Sequence, residues 1–300
     1  ILLDAILQER RLLIHDFLEA YGGYVNRASF TAFFANWIEG EKGIKAPNTI
    51  KAYRTNLKNV RDFQPETRFS DLTREWVEGF ERHMIRKKFD TNYRTKTHKL
   101  LKSVVGQAVA KKHLAQNPYE GFRFKYARTE RPFLDMKELS ALIALYRAGT
   151  LNGIEQEVLR YFLFSCVAGG LRISDIKRLT TEDVVGDWLV IRPEKTKTSR
   201  TVLKVPVSKI ARALIADAGG TGNFLFHCRA DAVTNRTLKT IGLAAKIAKP
   251  ITFHMARHTF ATVYLAMGGS VQGLQKILGH GKIETTMVYV HISHDDKLAG

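Results

Sequence analysis

The chain has 300 residues, more than one typical domain, so two domains are expected. Hydrophobic residues make up 45% and charged residues 25%, a balance that excludes an intrinsically disordered chain. The net charge is +18 at pH 7, which indicates a polyanionic partner. Residues 1–130 contain 24 Lys+Arg and 15 Asp+Glu, and residues 131–300 contain 23 and 14, so each half has a net charge of +9. This even distribution favours two nucleic-acid-binding domains over a single basic tail.

The cysteines and the hydropathy pattern limit the setting of the protein. Cys166 and Cys228 lie far apart without metal-ligand spacing, and nothing in the sequence requires an oxidising compartment. There is no signal peptide and no apolar run of 18 residues, so we expect no membrane partner. Because the chain begins at Ile1, inside a predicted helix, we interpret it as part of a longer protein with a further domain upstream.

Apolar residues at helical spacing predict about five helices in the first part of the chain. The first covers residues 1–20 and ends at the pair Gly22-Gly23, a favourable helix C-terminus. Ser29 is a candidate N-cap of the second helix, whose aromatic stripe predicts packing in a core. The stripe consists of Phe30, Phe33, Phe34 and Trp37. The remaining helices are predicted at 46–63, 71–88 and 90–118.

The last two of these helices hold the densest positive charge in the chain. A solvated helix face is the usual meaning of such a run. Acidic residues that would balance this face are nearly absent, which favours contact with phosphates. Such contacts supply affinity without reading the base sequence. The predicted DNA-binding cations are Arg82, Arg86, Lys87, Lys88, Arg94, Lys96, Lys99 and Lys102.

The run 118–134 interrupts the helical pattern with two prolines, which predicts a linker between two domains. The second domain is predicted to begin near Asp135, and the apolar segment 158–170 predicts a helix central to its core. The segments DWLVIRP and TVLKVPV predict two short strands of an antiparallel hairpin. Further helices are predicted at about 207–217, 234–248, 252–267, 271–278 and 283–291. This domain is therefore predicted to be mostly helical with a small antiparallel sheet.

Four short motifs in the second half of the chain combine groups suited to attack on a phosphodiester. They are GGLRISDI with Arg172, RPEKTKT with Lys195 and Lys197, FHMARHTFAT with His254, Arg257 and His258, and LGHGKIETTMVYVH with His280 and Tyr289. Planar guanidiniums bind the non-bridging oxygens of a phosphate bidentately and stabilise the charge of the transition state. His254 and Arg257 are three residues apart on one helix face, so both can point at one substrate atom.

Tyr289 is the predicted oxygen nucleophile. A phenol has a pKa of about 10 and needs neighbours that favour its ionised form. Tyr289 follows the L-G-H motif by nine residues, and this spacing is the most specific feature of the sequence. The alternative nucleophile, Tyr264, lies within a predicted helix and is interpreted as structural.

Two other sites are weighed and disfavoured. The pair His254/His258 lacks the glutamate of a H-E-x-x-H zinc motif and has no obvious third ligand. The pair Gly281-Lys282 fails as a phosphate-binding loop, because Lys276 and Ile283 occupy the positions of its first glycine and its Ser/Thr. We therefore predict no metal and no nucleotide cofactor.

The four motifs, in this order, resemble those of the tyrosine recombinases, also called phage-type integrases. The resemblance implies that Arg172 and Arg257 bind the attacked phosphate. It also implies that His254 and His280 contact the phosphate and assist proton transfer, without showing which histidine acts as the base. Tyr289 would then form a 3′-phosphotyrosyl link with the DNA.

The resemblance further implies a general-acid lysine in the turn of the β-hairpin, which would protonate the leaving 5′ oxygen. Lys195 is preferred because it lies four residues past Ile191 of the predicted strand, and Lys197 remains the alternative. His258 is expected to brace the site from behind.

The family's domain order implies a mostly α fold, with a helical core-binding domain and a mixed α+β catalytic domain that contains a small antiparallel sheet. Residues 1–24 would be a connector helix from an arm-binding domain upstream. Residues 25–120 would form the SAM-like core-binding domain, residues 121–134 the linker and residues 135–300 the catalytic domain.

The implied function is site-specific recombination of double-stranded DNA by the integrase of a mobile element, without metal or ATP. The implied partners are DNA, further copies of the chain in a tetramer and accessory DNA-bending proteins, in a cytoplasmic, nucleoid-associated setting. Two alternatives stay open: DNA relaxation of the type IB topoisomerase kind, and a DNA-binding regulator that has lost catalysis.

Overall fold

The structure is a computed structural model that describes residues 28–127, 129, 131–193, 202–219 and 223–294. The chain divides into two compact units, Ile1–Thr129 and Glu130–Gly300, which we call unit 1 and unit 2. The predicted helix at 1–20 and the predicted connector at 1–24 lie outside the described residues. So do the two lysines of the predicted hairpin turn, Lys195 and Lys197.

Unit 1 is helical in its described part. Ser29 Oγ accepts a hydrogen bond from Ala32 N at 3.1 Å and caps the helix that begins at Phe30, as predicted. Asp90 caps the helix that begins at Thr91 in the same way, since its Oδ1 lies 2.9 Å from Tyr93 N. The helices are α1 (Phe30–Gly40), α2 (Pro47–Phe63), α3 (Arg74–Arg86) and α4 (Thr91–Ala110), with a 3₁₀ turn at Phe69–Asp71.

Aromatic side chains fill the core of unit 1. Phe30 and Phe34 of the predicted stripe are fully buried, and Phe33 and Trp37 pack against the same core from partly buried positions. Phe30 meets Phe69 edge to face with ring centroids 5.8 Å apart, a favoured aromatic geometry. The stripe therefore serves the core.

Unit 2 consists of helices and a small sheet. The helices are α5 (Met136–Ala148), α6 (Gly153–Val167), α7 (Ile173–Ile176), α8 (Lys209–Ala216), α9 (Asp231–Ala244), α10 (Phe253–Ala266), α11 (Val271–Leu278) and α12 (Glu284–His294). The strands are β1 (Val184–Val185), β2 (Trp188–Ile191) and β3 (Leu203–Pro206), in the order β1-β2-β3 and antiparallel throughout.

The predicted hairpin is the pair β2–β3, in which Ile191 faces Leu203. The third strand, β1, was not predicted, because two residues are too few to show a strand period. It pairs through Val185 and Trp188 on either side of a tight turn. The prediction of a mostly helical fold with a small antiparallel sheet is confirmed.

Helix α6 forms the centre of the unit 2 core, as predicted from its apolar sequence. Its side chains from Val158 to Cys166 are almost all buried, and it packs against α5, α8, α9 and α10. Helix α10 also packs against α12. The segment that contains the H-x-x-R-H motif therefore joins the core helix to the helix that contains Tyr289.

None of the helices in the described part of the chain has both the length and the hydropathy that a membrane-spanning helix requires.

Candidate active site

The three side chains of the H-x-x-R-H motif on helix α10 differ in their exposure to solvent. Arg257 is 3% exposed and His258 is also buried, whereas His254 is exposed. The helix is tied to the segment that precedes α5, because Leu134 N donates to Thr259 Oγ1 at 2.9 Å. His254 and His258 stand one turn apart, with their rings edge to face and 4.6 Å between centroids.

The guanidinium of Arg257 is held by the backbone of two other segments. Its Nη1 donates to Gly170 O at 3.0 Å, and its Nη2 donates to Leu278 O at 2.6 Å. Burial, followed by the nearby Arg172, lowers the pKa of Arg257 to about 10, so the group is still cationic at pH 7. The carbonyl of Leu278 is available because α11 ends there, with Gly279 in the left-handed conformation.

His280 lies between Arg257 and helix α12. Its Nε2 is 3.0 Å from Arg257 Nη2, and its Nδ1 is 2.9 Å from Thr286 Oγ1. Burial lowers the pKa of His280 to about 4, and the positive charges of Arg257, Arg172 and Arg131 act in the same direction. The imidazole is therefore neutral at pH 7.

Tyr289 is 2% exposed and packs in a small apolar cluster with Ala261, Leu274 and Leu278. Its ring lies parallel to that of His280, with an angle of 8° between planes and 6.5 Å between centroids. Burial raises the pKa of the phenol, and the nearby arginines Arg257, Arg131 and Arg172 oppose that rise. The phenol is protonated at pH 7 in this state.

His258 contacts the phenol directly, since its Nδ1 lies 2.9 Å from Tyr289 Oη. Burial, together with the neighbouring His254, Arg131 and Arg257, lowers the pKa of His258 to about 3. From the sequence, this histidine was expected to brace the site from behind. The structure places it against the hydroxyl of the predicted nucleophile.

Arg172 stands two residues after Gly170, whose carbonyl accepts from Arg257. Its Nη1 is 4.0 Å from Asp175 Oδ2, and Arg178 approaches the other oxygen of the same buried carboxylate at 3.6 Å. The close turn through Gly169 and Gly170, both with positive φ, thus places Arg172 next to Arg257.

Comparison with known proteins identifies the family. The sequence model of the phage integrase family matches residues 132–295. The chain belongs to the phage integrase family. A second model, the phage integrase SAM-like domain, matches residues 29–126. The predicted resemblance to tyrosine recombinases is confirmed, and the chain is a member of an enzyme family.

Individual relatives agree with this assignment. The tyrosine recombinase XerD of Staphylococcus epidermidis is 26% identical over 279 residues, which covers 87% of this chain and 92% of that protein. The integrase of Escherichia phage P2 is 31% identical over 179 residues, 59% of this chain and 48% of that protein.

Solved structures share the fold. A lambda integrase dimer bound to a COC′ core site matches with a TM-score of 0.75 at 15% identity, covering 93% of this chain and 81% of that one. The Tn1549 transposon integrase in complex with transposon right end DNA gives 0.73 at 19%, covering 91% and 100%. A lambda integrase tetramer bound to a Holliday junction gives 0.74 at 16%, covering 92% and 84%.

The structure brings together most of the residues that the motifs of this integrase family indicate. Arg257, His280 and Tyr289 lie in one cluster, and Arg172 is near enough to affect the pKa of each. His254 lies at the exposed edge of the cluster, beside His258. The alternative nucleophile Tyr264 lies on α10, and its ring fills the space beside Gly269 and Gly273, in accordance with a structural role.

Two residues of this cluster were missed by the sequence analysis. Arg131 comes from the predicted linker, and its guanidinium carbon lies 5.9 Å from the centroid of the Tyr289 ring. Thr286 lies between His280 and Tyr289 in the LGHGKIETTMVYVH motif, is fully buried and contacts His280. The T-x-x-Y spacing, one helical turn, was the available sign that Thr286 lies on the face of Tyr289.

The cations predicted to bind DNA lie on α3, on α4 and between them. Seven of them are exposed, and they are Arg82, Arg86, Lys87, Lys88, Lys96, Lys99 and Lys102. Arg94 differs, because its Nε lies 3.0 Å from Glu81 Oε1 and its Nη1 donates to Phe89 O at 2.5 Å. Arg94 therefore links α3 and α4 within unit 1. Among the exposed cations, Lys99 lies over the ring of Tyr126, with its Nζ 4.9 Å from the centroid.

Within the part of the chain that the structure describes, no group of three or more His, Cys, Asp or Glu side chains is arranged to hold a metal ion.

Proposed function

We propose that this protein is a site-specific DNA recombinase of a mobile element, which cuts and rejoins DNA through a 3′-phosphotyrosyl intermediate on Tyr289. The observation that carries the proposal is the cluster of Arg257, His258, His280 and Tyr289. Three separate segments build it, with hydrogen bonds of 2.9 Å at the phenol and 3.0 Å between the arginine and His280. Such a cluster supplies cationic charge for a phosphate beside an oxygen nucleophile.

Arg172 and Arg257 would bind the non-bridging oxygens of the attacked phosphate. Both hydrogens of Arg257 Nη2 are used within the protein, by Leu278 O and by His280 Nε2. A phosphate oxygen that reaches Nη2 would therefore replace His280 as an acceptor. His280 Nε2 would then face the phosphate, and the exposed His254 would contact it from the entrance of the site.

In the proposed step, Tyr289 Oη forms a bond to phosphorus while the bond from phosphorus to the 5′ oxygen breaks. The phenol proton passes to a neutral histidine, and His258 Nδ1, 2.9 Å away, is within reach in this state. The departing 5′ oxygen takes a proton from Lys195, with Lys197 as the alternative. One phosphoester bond replaces another, so rejoining needs neither ATP nor a metal ion.

We further propose that residues 25–120 are the core-binding domain, residues 121–134 the linker and residues 135–300 the catalytic domain. The core-binding domain and the catalytic domain would both bind double-stranded DNA, in keeping with a net charge of +9 in each half of the chain. By analogy with the lambda integrase tetramer on a Holliday junction, the active form would be a tetramer. Accessory DNA-bending proteins would assist it in the nucleoid.

The test begins with duplexes that carry a randomised central segment, from which the protein selects its binding sequence in gel-shift rounds. The selected sequences are then prepared with a nick at successive positions, so that a short fragment is lost after cleavage and the covalent complex accumulates. Wild type, Tyr289→Phe and the matched control Tyr264→Phe are compared on a denaturing gel in EDTA.

We expect a protein–DNA adduct with wild type and with Tyr264→Phe, and none with Tyr289→Phe. An adduct with Tyr289→Phe would mean that another residue is the nucleophile. Tight binding by wild type without an adduct at any nick position would overturn the proposed reaction and support the non-catalytic alternative.

A further inference from the structure

The contacts of His280 determine which of its nitrogens carries the proton. A guanidinium has only donors, so His280 Nε2, 3.0 Å from Arg257 Nη2, must be the acceptor of that hydrogen bond. The imidazole is neutral at pH 7 and has one ring proton, since its pKa is lowered to about 4. That proton therefore lies on Nδ1, which donates to Thr286 Oγ1 at 2.9 Å.

Thr286 is well placed to hold this arrangement. It is fully buried in the first turn of α12, and its backbone N–H is bonded to Ile283 O at 2.8 Å. It precedes Tyr289 by three residues, so the hydroxyl and the phenol share one helix face. The same short segment thus contains the acceptor for His280 and the proposed nucleophile.

We propose that Thr286 is a positioning residue, whose hydroxyl accepts from His280 Nδ1–H and so stabilises the tautomer in which Nε2 accepts from Arg257 and orients the guanidinium before the phosphate binds. This role rests on the proposed function for its effect on catalysis, although the tautomer itself can be measured without DNA. In the opposite tautomer, Nε2–H would point at a guanidinium N–H and the hydrogen bond with Arg257 would be lost, although Nδ1 could then accept from the Thr286 hydroxyl.

The side chain of Thr286 can be changed with little change of shape. Valine replaces the hydroxyl with a methyl group and leaves the buried Nδ1–H without an acceptor. Serine keeps the hydroxyl and removes the methyl group. Thr285 is the matched control, because it is the same residue type at the adjacent position and is exposed.

The experiment has a spectroscopic arm and a kinetic arm. Long-range ¹H–¹⁵N spectra of the full chain report the tautomer of each histidine, and the resonances of His280 are those missing in His280→Gln. The adduct on the nicked duplex is measured in single turnovers at saturating DNA. Thermal unfolding of every variant shows that it is folded.

We expect wild type, Thr286→Ser and Thr285→Val to hold His280 in the Nδ1–H form. Thr286→Val should show the Nε2–H form or a mixture of the two, and should slow adduct formation roughly 10- to 100-fold at unchanged DNA affinity. Thr286→Ser should recover most of the rate.

A wild-type tautomer in Thr286→Val would overturn the proposal, as would a defect in tautomer that Thr286→Ser does not correct, since packing of the methyl group would then be the cause. If wild type forms no adduct, the proposed function fails, and the spectra still decide the tautomer. The two failures are therefore distinguishable.

Discussion

A buried histidine–tyrosine pair occurs in the described part of each unit. In unit 1, His98 Nδ1 lies 3.0 Å from Tyr119 Oη. In unit 2, His258 Nδ1 lies 2.9 Å from Tyr289 Oη. Both tyrosines are almost fully buried, and the histidine of each pair has a pKa that burial lowers. The hydrogen bonds alone do not distinguish the two pairs.

The charges around the pairs differ in sign. His98 Nε2 is 3.1 Å from Glu81 Oε2, and the same carboxylate, together with burial, raises the pKa of Tyr119. Around Tyr289 the neighbouring charges are arginines, which oppose the effect of burial on the phenol. Burial and an anionic neighbour both raise the pKa of the unit 1 phenol, whereas in unit 2 cationic neighbours oppose the effect of burial. On the proposed function, we expect this difference in surrounding charge to separate a structural pair in unit 1 from a reactive pair in unit 2.

The largest expected effect comes from removing the arginine beside the unit 2 pair, in comparison with removal of an arginine near the unit 1 pair. Arg257→Ala should slow adduct formation by roughly 1,000-fold or more, because it removes charge aimed at the phosphate. Arg94→Ala breaks the ion pair with Glu81 and should lower the free energy of unfolding by about 1–2 kcal/mol while the adduct rate stays within a few-fold of wild type. Single-turnover cleavage and urea unfolding of both variants measure the two effects. Near-normal cleavage by Arg257→Ala would contradict the comparison.

A smaller effect is expected at Arg131, which approaches the ring of Tyr289. Arg131→Ala should slow adduct formation by roughly tenfold, because one cation that favours the ionised phenol is lost. Arg131→Lys keeps the charge and should recover part of the rate. Arg147→Ala, an exposed arginine of the same unit, is the control. Equal rates for all three variants and wild type would remove Arg131 from the site.

We expect low pH to lower the free energy of unfolding, because His258 and His280 are neutral in the folded chain and bind protons more readily when it unfolds. The pKa of His258 is lowered to about 3 and that of His280 to about 4, against about 6.5 in the unfolded chain. The unfolded chain thus binds more protons below pH 6.5, so stability is fully present above that pH and is lost as the pH falls toward 4 and then 3. We expect the midpoint of thermal unfolding to fall by roughly 5 °C between pH 7 and pH 5.

His258→Gln removes one of these titrations and should flatten the pH dependence of the unfolding midpoint. An equally steep dependence in this variant would show that His258 does not titrate as the comparison requires. His113→Gln is the control variant. His113 lies in unit 1 and has interaction partners, but it belongs to neither histidine–tyrosine pair.

The smallest effect is expected at the structural pair. Tyr119→Phe removes the hydroxyl from His98 Nδ1 and should lower the free energy of unfolding by about 1–2 kcal/mol. Adduct formation should remain as in wild type. A loss of cleavage comparable to that of Tyr289→Phe would mean that the two pairs are not functionally distinct.

The sequence predicted the parts of the site that lie within short motifs. The spacing of His254 and Arg257 gave a common helix, and the L-G-H motif located His280 and Tyr289. Their proximity in the structure depends on α10 packing against both α6 and α12, which no local pattern contains. The roles of these residues in catalysis stay predictions until the adduct is measured.

Contacts between distant segments could not be read from the sequence. Arg131 reaches Tyr289 because Leu134 is buried and bonded to Thr259, which sets the path of the segment before α5. Arg94 looked like one more cation of a basic run. It turns inward because Glu81, thirteen residues earlier, lies on the helix packed beside it. In both cases the deciding neighbour is known only after the chain has folded.

The conformation of Gly170 limits which residues can replace it. Its φ is +60°, and a β-carbon there would lie 3.1 Å from Arg257 Cα and 3.3 Å from Arg257 O. Any larger residue would strain the turn and push on the backbone of α10, because those atoms belong to the main chain and cannot rotate away. A β-carbon on Gly281, next to His280, would have none of the surrounding atoms within 4 Å. In a library evolved toward a new DNA target, position 281 can therefore be diversified, whereas position 170 should return as glycine in every active clone.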